Sequence, residues 1–410
     1  MPLRSDDHNP DLLALISAEI QTSPDQRIPF ARYMDLVLYQ SQQGYYASNV
    51  VKIGQGGDFF TSPHLGSDFA ELLGEQFLQM WQVMGQPSTF NLVEMGAGQG
   101  IIANDLLKYL QRQYPDFFAN LNYIIVEKAA GLIAEQQHHL KAWLETWGRL
   151  KWLGLEEIAD GTIAGCLFSN ELIDAFPVDQ VVIQRGQIQQ VFVGLNPDHS
   201  GEGQRQHPFQ EILAEPTMAG LAEYFQWMGI ELPGRDYPEG YRTEVNLAAL
   251  DWIATVSRKL QRGYVLTIDY GYPARQYYQP ARREGTLQCY YHHATNTNPY
   301  FNVGHQDLTA HVNFTALERR GEECGLVNLG FTQQALFLMS LGLGDRLVAN
   351  NSGAFSNDLS TVIRRREALH QLMNPLGLGG FGVLIQAKGL TTTELNQPLK
   401  GLAISQGIKY

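Results

Sequence analysis

The stretch that decides the fold is residues 91–100, which read Asn-Leu-Val-Glu-Met-Gly-Ala-Gly-Gln-Gly. An apolar run ends in the acid Glu94, and glycines at three alternate positions then lead into a helical pattern that begins at Ile101. Glycine allows a tight turn and lets a ligand approach the backbone closely. A dinucleotide-binding turn, Gly-x-Gly-x-x-Gly, would need glycine at the position of Ile101, so this ligand class is disfavoured.

The order of acid and glycines, Glu-x-Gly-x-Gly-x-Gly, resembles the first motif of class I methyltransferases, which bind S-adenosylmethionine (SAM). An acid ahead of the glycines suits a cationic ligand and would repel a phosphate. On this resemblance, the cofactor-binding residues are Glu94, Gly96, Ala97, Gly98 and Gly100. The alternative is a plain turn between a strand and a helix.

A second apolar run, residues 123–126, also ends in an acid, Glu127. The tip of the next parallel strand is where a carboxylate can accept hydrogen bonds from the two ribose hydroxyls of a nucleoside. The spacing from Gly100 exceeds the ~20 residues usual for this arrangement, and we expect residues 114–122 to absorb the excess as a loop. Glu127 is therefore predicted to bind the cofactor, the alternative being an ordinary solvated strand end.

Short apolar runs alternate with helical patterns from Phe90 onward, which predicts an α/β fold with a mainly parallel sheet between helices. The resemblance implies that this sheet is of the class I (Rossmann-like) methyltransferase type, in which an antiparallel pair of strands completes the sheet. The predicted strands are 91–95, 122–127, 150–153, 164–169 and 263–269, with 326–332 and 381–388 as the closing pair.

The chain is predicted to consist of an N-terminal helical segment, a methyltransferase core, an insertion and a C-terminal tail. Val178 to Leu195 has the pattern of a β-hairpin that turns at Arg185-Gly186, and a polar loop and helical patterns follow it. This region is too long for a simple crossover. It is either a lid over the edge of the sheet where the ligand binds or a structural decoration. The predicted ranges are 1–62 for the helical segment, 63–177 and 263–390 for the core, 178–262 for the insertion and 391–410 for a loosely held tail.

Polar side chains follow the fourth and fifth predicted strands, where ligands bind in open α/β sheets. Asn170 could hold the cofactor or the substrate, while Glu171 and Asp174 could place two carboxylates near the reacting methyl group. These three are the predicted catalytic residues, the alternative being a helix-capping network. Asp269, Tyr270 and Tyr272 follow the fifth strand and are predicted to contact the substrate.

The bulk composition narrows the class of partner. The 410-residue chain has 29 basic and 42 acidic residues, a net charge of −13, which disfavours nucleic acid and suits a basic partner such as an arginine-bearing peptide.

Three widely spaced cysteines argue against a disulfide framework, and the histidines show no metal-ligand spacing. No apolar run approaches the ~18 residues of a membrane span. Without a signal or transit pattern at residues 1–8, a cytoplasmic location is expected.

Several blocks together resemble the MidA family of SAM-dependent methyltransferases: residues 57–63, 94–100, 169–177, 268–271 and 307–312. The family includes a mitochondrial complex I assembly factor that methylates an arginine of the 49-kDa subunit. The resemblance implies a SAM-dependent protein-arginine methyltransferase that makes symmetric dimethylarginine on a subunit of an NADH dehydrogenase-like complex. Two positions depart from the family pattern, His64 where glutamate is usual and Asn313 where aspartate is usual.

An arginine acceptor would explain the paired carboxylates. The guanidinium group stays protonated at ordinary pH, and a carboxylate can grip it bidentately and draw positive charge away from the reacting nitrogen. Glu171 is the predicted clamp. A small-molecule methyltransferase and an assembly chaperone that binds SAM without turnover are the alternatives. The oligomeric state is left open by the sequence.

Overall fold

The computed structural model describes residues 7–47, 62–197, 207–291, 294–351 and 358–404. Residues 57–61 of the family motif and most of the predicted polar loop lie outside the described residues. The strands are β1 Arg27–Pro29, β2 Phe90–Met95, β3 Leu121–Val126, β4 Leu150–Leu153, β5 Ile163–Asn170, β6 Asp179–Gln184, β7 Gln187–Leu195, β8 Phe209–Ala214, β9 Arg242–Val245, β10 Leu260–Asp269, β11 Gly271–Tyr272, β12 Gln288–Tyr291, β13 Ala294–Asn296, β14 Asp307–Thr309, β15 Val312–Asn313, β16 Val327–Gln333 and β17 Gly382–Lys388. The α-helices are α1 Pro10–Thr22, α2 Phe30–Tyr39, α3 Asp68–Val83, α4 Ile101–Gln113, α5 Pro115–Ala119, α6 Ala130–His139, α7 Lys141–Thr146, α8 Ala219–Met228, α9 Leu247–Lys259, α10 Ala274–Tyr277, α11 Phe314–Glu323, α12 Gln334–Ser340, α13 Leu343–Asn351, α14 Leu359–Met373 and α15 Thr392–Leu395.

The central sheet has seven strands in the order β16-β17-β10-β5-β2-β3-β4. Strands β4, β3, β2, β5 and β10 are mutually parallel, and β17 runs antiparallel to both of its neighbours. This is the predicted α/β sheet of the class I (Rossmann-like) methyltransferase type, with the predicted closing pair. The order brings the carboxyl ends of β2, β3, β5 and β10 to one edge, where a ligand is expected.

Helices cover both faces of this sheet, as the near-continuous apolar strands require. On one face α3, α4, α12 and α14 form the larger core, in which the rings of Phe77 and Phe168 lie 5.0 Å apart between centroids. On the other face α9 and α11 pack against the strands through residues such as Trp252 and Leu317. Helix α9 falls within the predicted insertion, yet it packs on the central sheet, because it is the crossover that leads into β10.

A second sheet lies beyond the central one, in the order β1-β7-β6-β9 with β8 paired to β7. The hairpin β6–β7 turns at Arg185 and Gly186, whose φ angles are 53° and 72°, and this confirms the predicted hairpin. Strand β1 pairs antiparallel with β7, with Ile28 opposite Val193. Helices α1 and α2 pack on the same sheet, so the N-terminal segment and the predicted insertion share one core.

Two local predictions were wrong. Residues 114–122, expected to form a loop, contain the short helix α5, which begins with Pro115 at a position favoured for proline. The tail was expected to be loosely held, but Leu399 and Leu402 are buried in the larger core, and the N–H of Gly401 donates to Gln76 Oε1 at 2.9 Å. These contacts join residues far apart in the chain, which a local pattern cannot show.

Candidate active site

A cleft of about 710 Å³ opens at the carboxyl ends of β2, β3, β5 and β10. Its size is within the range of small-molecule sites. The predicted site residues that line it are Glu94, Gly96, Ala97, Gly98, Glu127, Asn170, Glu171, Asp174, Tyr270 and Tyr272. Two predicted residues, Gly100 and Asp269, do not line it.

The glycine turn after β2 uses backbone conformations that side chains disfavour. Gly96, Gly98 and Gly100 have φ angles of 72°, 52° and 76°. A Cβ atom on Gly96 would lie 2.7 Å from Cδ1 of Leu172, whereas one on Gly98 would meet no atom within 4 Å. Gly98 therefore leaves open space in the cleft where a ligand can approach the backbone. Gly100 is the residue directly before α4, and a Cβ atom there would lie 3.2 Å from Cδ1 of Leu140. The structure thus gives Gly100 a role in the turn and not in the cleft.

Glu94 lies at the floor of the cleft and is buried. Its Oε2 accepts a hydrogen bond from the hydroxyl of Tyr123 at 2.6 Å. Burial raises the pKa of Glu94 to about 7, and the bond from Tyr123 opposes the rise. A cationic ligand would favour the ionised form of this carboxyl group.

Glu127 follows β3, and its carboxylate is held by several donors. Oε1 accepts from the backbone N–H groups of Lys128 at 2.8 Å and Ala129 at 3.1 Å, and Oε2 accepts from Gln136 Nε2 at 3.2 Å. Burial raises the pKa of Glu127, against the effect of these bonds. Gln136 was missed from the sequence because it lies within α6 and carries no motif.

The segment after β5 carries the predicted catalytic residues. Asn170 Nδ2 donates to Glu171 Oε1 at 3.1 Å, and Asn170 Oδ1 is buried without a hydrogen-bond partner in the described part of the chain. Burial and then the neighbouring Asp174 raise the pKa of Glu171 to about 8. Burial raises the pKa of Asp174 to about 6. The structure thus brings two acids with raised pKa values to one side of the cleft, a feature common in functional sites.

Asp269 was predicted to contact the substrate, and the structure does not place it in the cleft. It is fully buried, and its Oδ2 accepts from the backbone N–H groups of Ile173 at 2.9 Å and Leu172 at 3.2 Å. The carboxylate occupies the start of a short 3₁₀ helix, Ile173–Ala175, where backbone donors are otherwise unsatisfied. Asp269 therefore holds the segment that carries Glu171 and Asp174.

Tyrosines and a further acid line the part of the cleft beyond Asp174. The hydroxyl of Tyr46 donates to both carboxylate oxygens of Asp307 at 3.0 Å, and the ring of Tyr46 stacks on Tyr39 with centroids 5.4 Å apart. Tyr39 also donates to the carbonyl of Ala175 at 2.8 Å. These residues come from α2, from the segment after it and from β14, so no single motif indicated them.

Tyr270 and Tyr272, both predicted to contact the substrate, pack edge-on against the ring of His311 with centroids 5.1 and 5.2 Å away. The guanidinium of Arg282 lies 4.4 Å from the centroid of Tyr272, so one face of that ring already holds a cation. Burial, with Arg282 as the second cause, lowers the pKa of His311 to about 4. His311 is therefore neutral near pH 7.

The two departures from the family pattern have different consequences. His64 lines the cleft, and its Nε2 lies 3.1 Å from Oε1 of Gln99 in the glycine turn. Asn313 is the capping residue directly before α11. Its Oδ1 accepts from the N–H of Ala316 at 3.3 Å, and its Nδ2 donates to the hydroxyl of Tyr224 at 3.1 Å. Asparagine thus supplies a helix-capping acceptor as aspartate would.

These residues fit SAM. The open space in front of Gly98 admits a ligand to the backbone, the unpartnered Oδ1 of Asn170 can accept from an amino group, and Glu94 and Glu127 offer carboxylates to a cation and to hydroxyl groups. Within the described ranges, no group of His, Cys, Asp and Glu side chains is arranged to hold a metal ion. None of the described helices combines the length and apolarity needed to cross a membrane.

Comparison with known proteins agrees with this geometry. Residues 72–332 match the family model of S-adenosyl-L-methionine-dependent methyltransferases. The crystal structure of a protein from Burkholderia thailandensis bound to S-adenosyl-homocysteine is 31% identical in sequence, with a TM-score of 0.82 over 96% of this chain and 97% of that one.

Two curated relatives cover nearly the whole chain. The protein arginine methyltransferase NDUFAF7 homolog of Drosophila melanogaster is 26% identical over 399 residues, which are 92% of this chain and 85% of that one. The corresponding protein of Rattus norvegicus is 27% identical over 402 residues, or 92% and 84%. Both are named as mitochondrial proteins, which contradicts the expected cytoplasmic location. With the family model, the sheet and the cleft in agreement, the chain belongs to the S-adenosyl-L-methionine-dependent methyltransferases, as the MidA resemblance implied, and SAM is its cofactor.

Proposed function

We propose that the protein is a protein-arginine N-methyltransferase that makes symmetric dimethylarginine on a subunit of an NADH dehydrogenase or complex I-like assembly, the 49-kDa-type subunit being the candidate. The observation that carries the proposal is the pair Glu171 and Asp174, which face the same cleft as the glycine turn. The relatives that cover most of the chain are named protein arginine methyltransferases, which supports the same acceptor.

On the cofactor side, the proposal assigns binding to the predicted residues that line the cleft. Gly96, Ala97 and Gly98 would let the cofactor lie against the backbone, and Glu127 would accept from its ribose hydroxyls. Asn170 would hold its methionine end, beside Glu94. When bound, SAM would supply an electrophilic methyl group, which passes to the acceptor nitrogen as the bond between its carbon and the sulfur breaks and S-adenosylhomocysteine is left.

On the acceptor side, Glu171 would grip the guanidinium of the arginine. Since this group stays protonated, a carboxylate hydrogen-bonded to it both orients the nitrogens and draws positive charge toward itself. The raised pKa of Glu171, about 8, means that this acid is mostly neutral before the substrate arrives at pH 7. The arriving cation would favour its ionised form.

Methylation of a guanidinium nitrogen also releases one proton, because that nitrogen exchanges an N–H bond for an N–C bond. Glu171 would accept the proton at its carboxylate, since its pKa lies near the working pH, as suits a general base. Asp174, whose pKa is raised to about 6, would keep the local charge negative. Orientation of the acceptor in this way supplies much of the rate enhancement in reactions that need in-line approach.

The tyrosines beyond Asp174 favour a cationic side chain over a neutral one. Tyr39 and Tyr46 offer aromatic faces, and Asp307 adds a carboxylate to the same wall of the cleft. Tyr39 comes from α2, Tyr46 from the segment after it and Asp307 from β14. We expect the extended side chain of the acceptor arginine to lie along these residues, with its guanidinium group at Glu171.

The experiment uses the full-length protein, SAM with a labelled methyl group, and a set of peptides that contain one arginine. A matched set has lysine in place of that arginine. The proposal expects label only in the arginine peptides. The fragmentation spectra of the dimethylated peptides should show loss of monomethylamine and not of dimethylamine, which marks the symmetric product. Label in metabolites alone would support a small-molecule methyltransferase, whereas tight SAM binding without any label would support an assembly chaperone. Either result contradicts the proposal.

A further inference from the structure

Gln136 contacts both parts of the proposed cofactor site, although it does not line the cleft. It is fully buried on α6. Its Nε2 donates to the carbonyl of Gly98 at 2.8 Å and to Glu127 Oε2 at 3.2 Å. The two donor hydrogens of one amide group thus join the glycine turn to the acid that follows β3.

The orientation of this amide is fixed by a third contact. Gln136 Oε1 accepts from the indole Nε1 of Trp152 on β4 at 2.9 Å. Because an indole N–H is only a donor, the oxygen must face Trp152, and the NH₂ group must face Gly98 and Glu127. The polar atoms of the side chain are all used, which makes a buried network rigid.

We propose that Gln136 is a positioning residue for the cofactor: it holds the Gly98 turn and the Glu127 carboxylate at one separation and orients the carboxylate toward the ribose hydroxyls. This inference rests on the proposed role of Glu127 and not on the identity of the methyl acceptor. The backbone donors of Lys128 and Ala129 both reach Oε1, so among the described residues Gln136 is the donor that fixes Oε2.

The network also affects the charge of Glu127. Burial raises the pKa of this carboxyl group, and the bond from Gln136 opposes the rise. A carboxylate that keeps its charge accepts hydrogen bonds more strongly than a neutral acid does. Loss of the Gln136 donor should therefore weaken the grip of Glu127 on hydroxyl groups as well as misplace it.

The test measures the dissociation constant of S-adenosylhomocysteine by calorimetry, with the full-length protein. Gln136→Leu should bind about tenfold more weakly, as expected for a lost hydrogen bond to a charged group. The matched control is Gln137→Leu, a change at the next, exposed position of the same helix, which should leave affinity unchanged.

A second ligand separates positioning from a general loss of structure. The 2′,3′-dideoxyribose analogue of S-adenosylhomocysteine lacks the hydroxyl groups that Glu127 would hold. Gln136→Leu should lose less affinity for this analogue than for S-adenosylhomocysteine, because only its effect through the Gly98 turn remains. In a Glu127→Gln background, the Gln136 change should cost less affinity for S-adenosylhomocysteine than it does in the wild type. The proposal would be overturned if Gln136→Leu lost equal affinity for both ligands. It would also be overturned if the affinity losses of the Gln136 and Glu127 changes were fully additive.

Because Gln136→Leu leaves buried polar partners, it could fail to fold. Trp152→Phe then provides the test, since it removes the indole donor that orients the amide and keeps an aromatic side chain at this position. This variant should bind S-adenosylhomocysteine about threefold more weakly than the wild type, and its affinity for the dideoxy analogue should hardly change. Equal affinity of Trp152→Phe and wild type for S-adenosylhomocysteine would contradict the orienting role.

Discussion

Asp269 Oδ2 accepts a hydrogen bond from the backbone N–H of Ile173 at 2.9 Å, and this bond ties the end of β10 to the segment after β5. The same oxygen accepts from Leu172 at 3.2 Å. These bonds from Leu172 and Ile173 to Asp269 hold the segment that carries Glu171 in place. Glu171 itself has a positive φ of 52°. Non-glycine residues hold such a conformation only where their surroundings enforce it.

Asp269→Ala should lower the free energy of unfolding by about 2–3 kcal/mol, because buried backbone donors lose their acceptor. Turnover should fall as well, since Glu171 would no longer be held in place. Asp269→Asn keeps one acceptor oxygen and should lose less stability. Chemical denaturation measures the effect, with the exposed Asp251→Ala as control. An Ala variant as stable and active as wild type would show that the bond does not organise the loop.

Glu171→Gln should leave the affinity for SAM nearly intact and lower turnover by about 100-fold or more, the scale of a lost general base. The amide keeps the shape of the side chain but cannot grip a guanidinium group as a carboxylate does. Single-turnover rates and SAM titration measure the two effects separately, with the exposed Glu156→Gln as control. Undiminished turnover would refute the assigned role of Glu171.

The pH profile should follow the ionisation of Glu171. Burial raises the pKa of this group to about 8, so its carboxylate fraction in the free enzyme grows as pH rises toward that value. Because kcat/KM reports groups of the free enzyme, it should rise with pH and level above about 8. Asp174→Asn should move the rise to lower pH, since Asp174 is the second cause that raises the pKa of Glu171. A profile that falls over this range is incompatible with the proposed base.

Gly98→Val should weaken SAM binding without unfolding the protein. The φ of Gly98 is 52°, and a side chain there would project into the open cleft instead of into protein atoms. The left-handed conformation costs about 1–2 kcal/mol for a residue with a Cβ atom. Gly148→Val is the matched control, because Gly148 also has a positive φ, 67°, and open space around its Cβ position, but lies outside the cleft. Equal SAM affinities of the two variants would mean that Gly98 does not face the cofactor.

The parts of the fold predicted from the sequence are those with strong local patterns. The strands that end at Met95, Val126 and Asn170 are apolar runs that stop at polar residues, and each appeared within one or two positions of its predicted bounds. Parallel strands expose their carboxyl ends on one edge, so Glu94, Glu127 and Glu171 were expected together there, and the cleft brings them together.

The parts that were missed depend on contacts between distant residues. Asp307 meets Tyr46 across 261 positions, and strand β1 is recognisable only through its pairing with β7. Asp269 looked like an exposed acid at a strand end, but it is buried and accepts hydrogen bonds from the segment after β5. The pairing of β1 with β7 also joins the N-terminal segment to the predicted insertion, which neither segment's own sequence pattern indicates.

The central claim is methyl transfer to a protein arginine, and labelling of natural acceptors tests it most directly. Purified protein and labelled SAM are added to an extract of cells that lack this gene, and labelled products are identified by mass spectrometry. The account predicts one main labelled protein, a subunit of an NADH dehydrogenase-type complex that carries symmetric dimethylarginine, and no label with Glu171→Gln. Label confined to small molecules, or no label despite SAM binding, would contradict it.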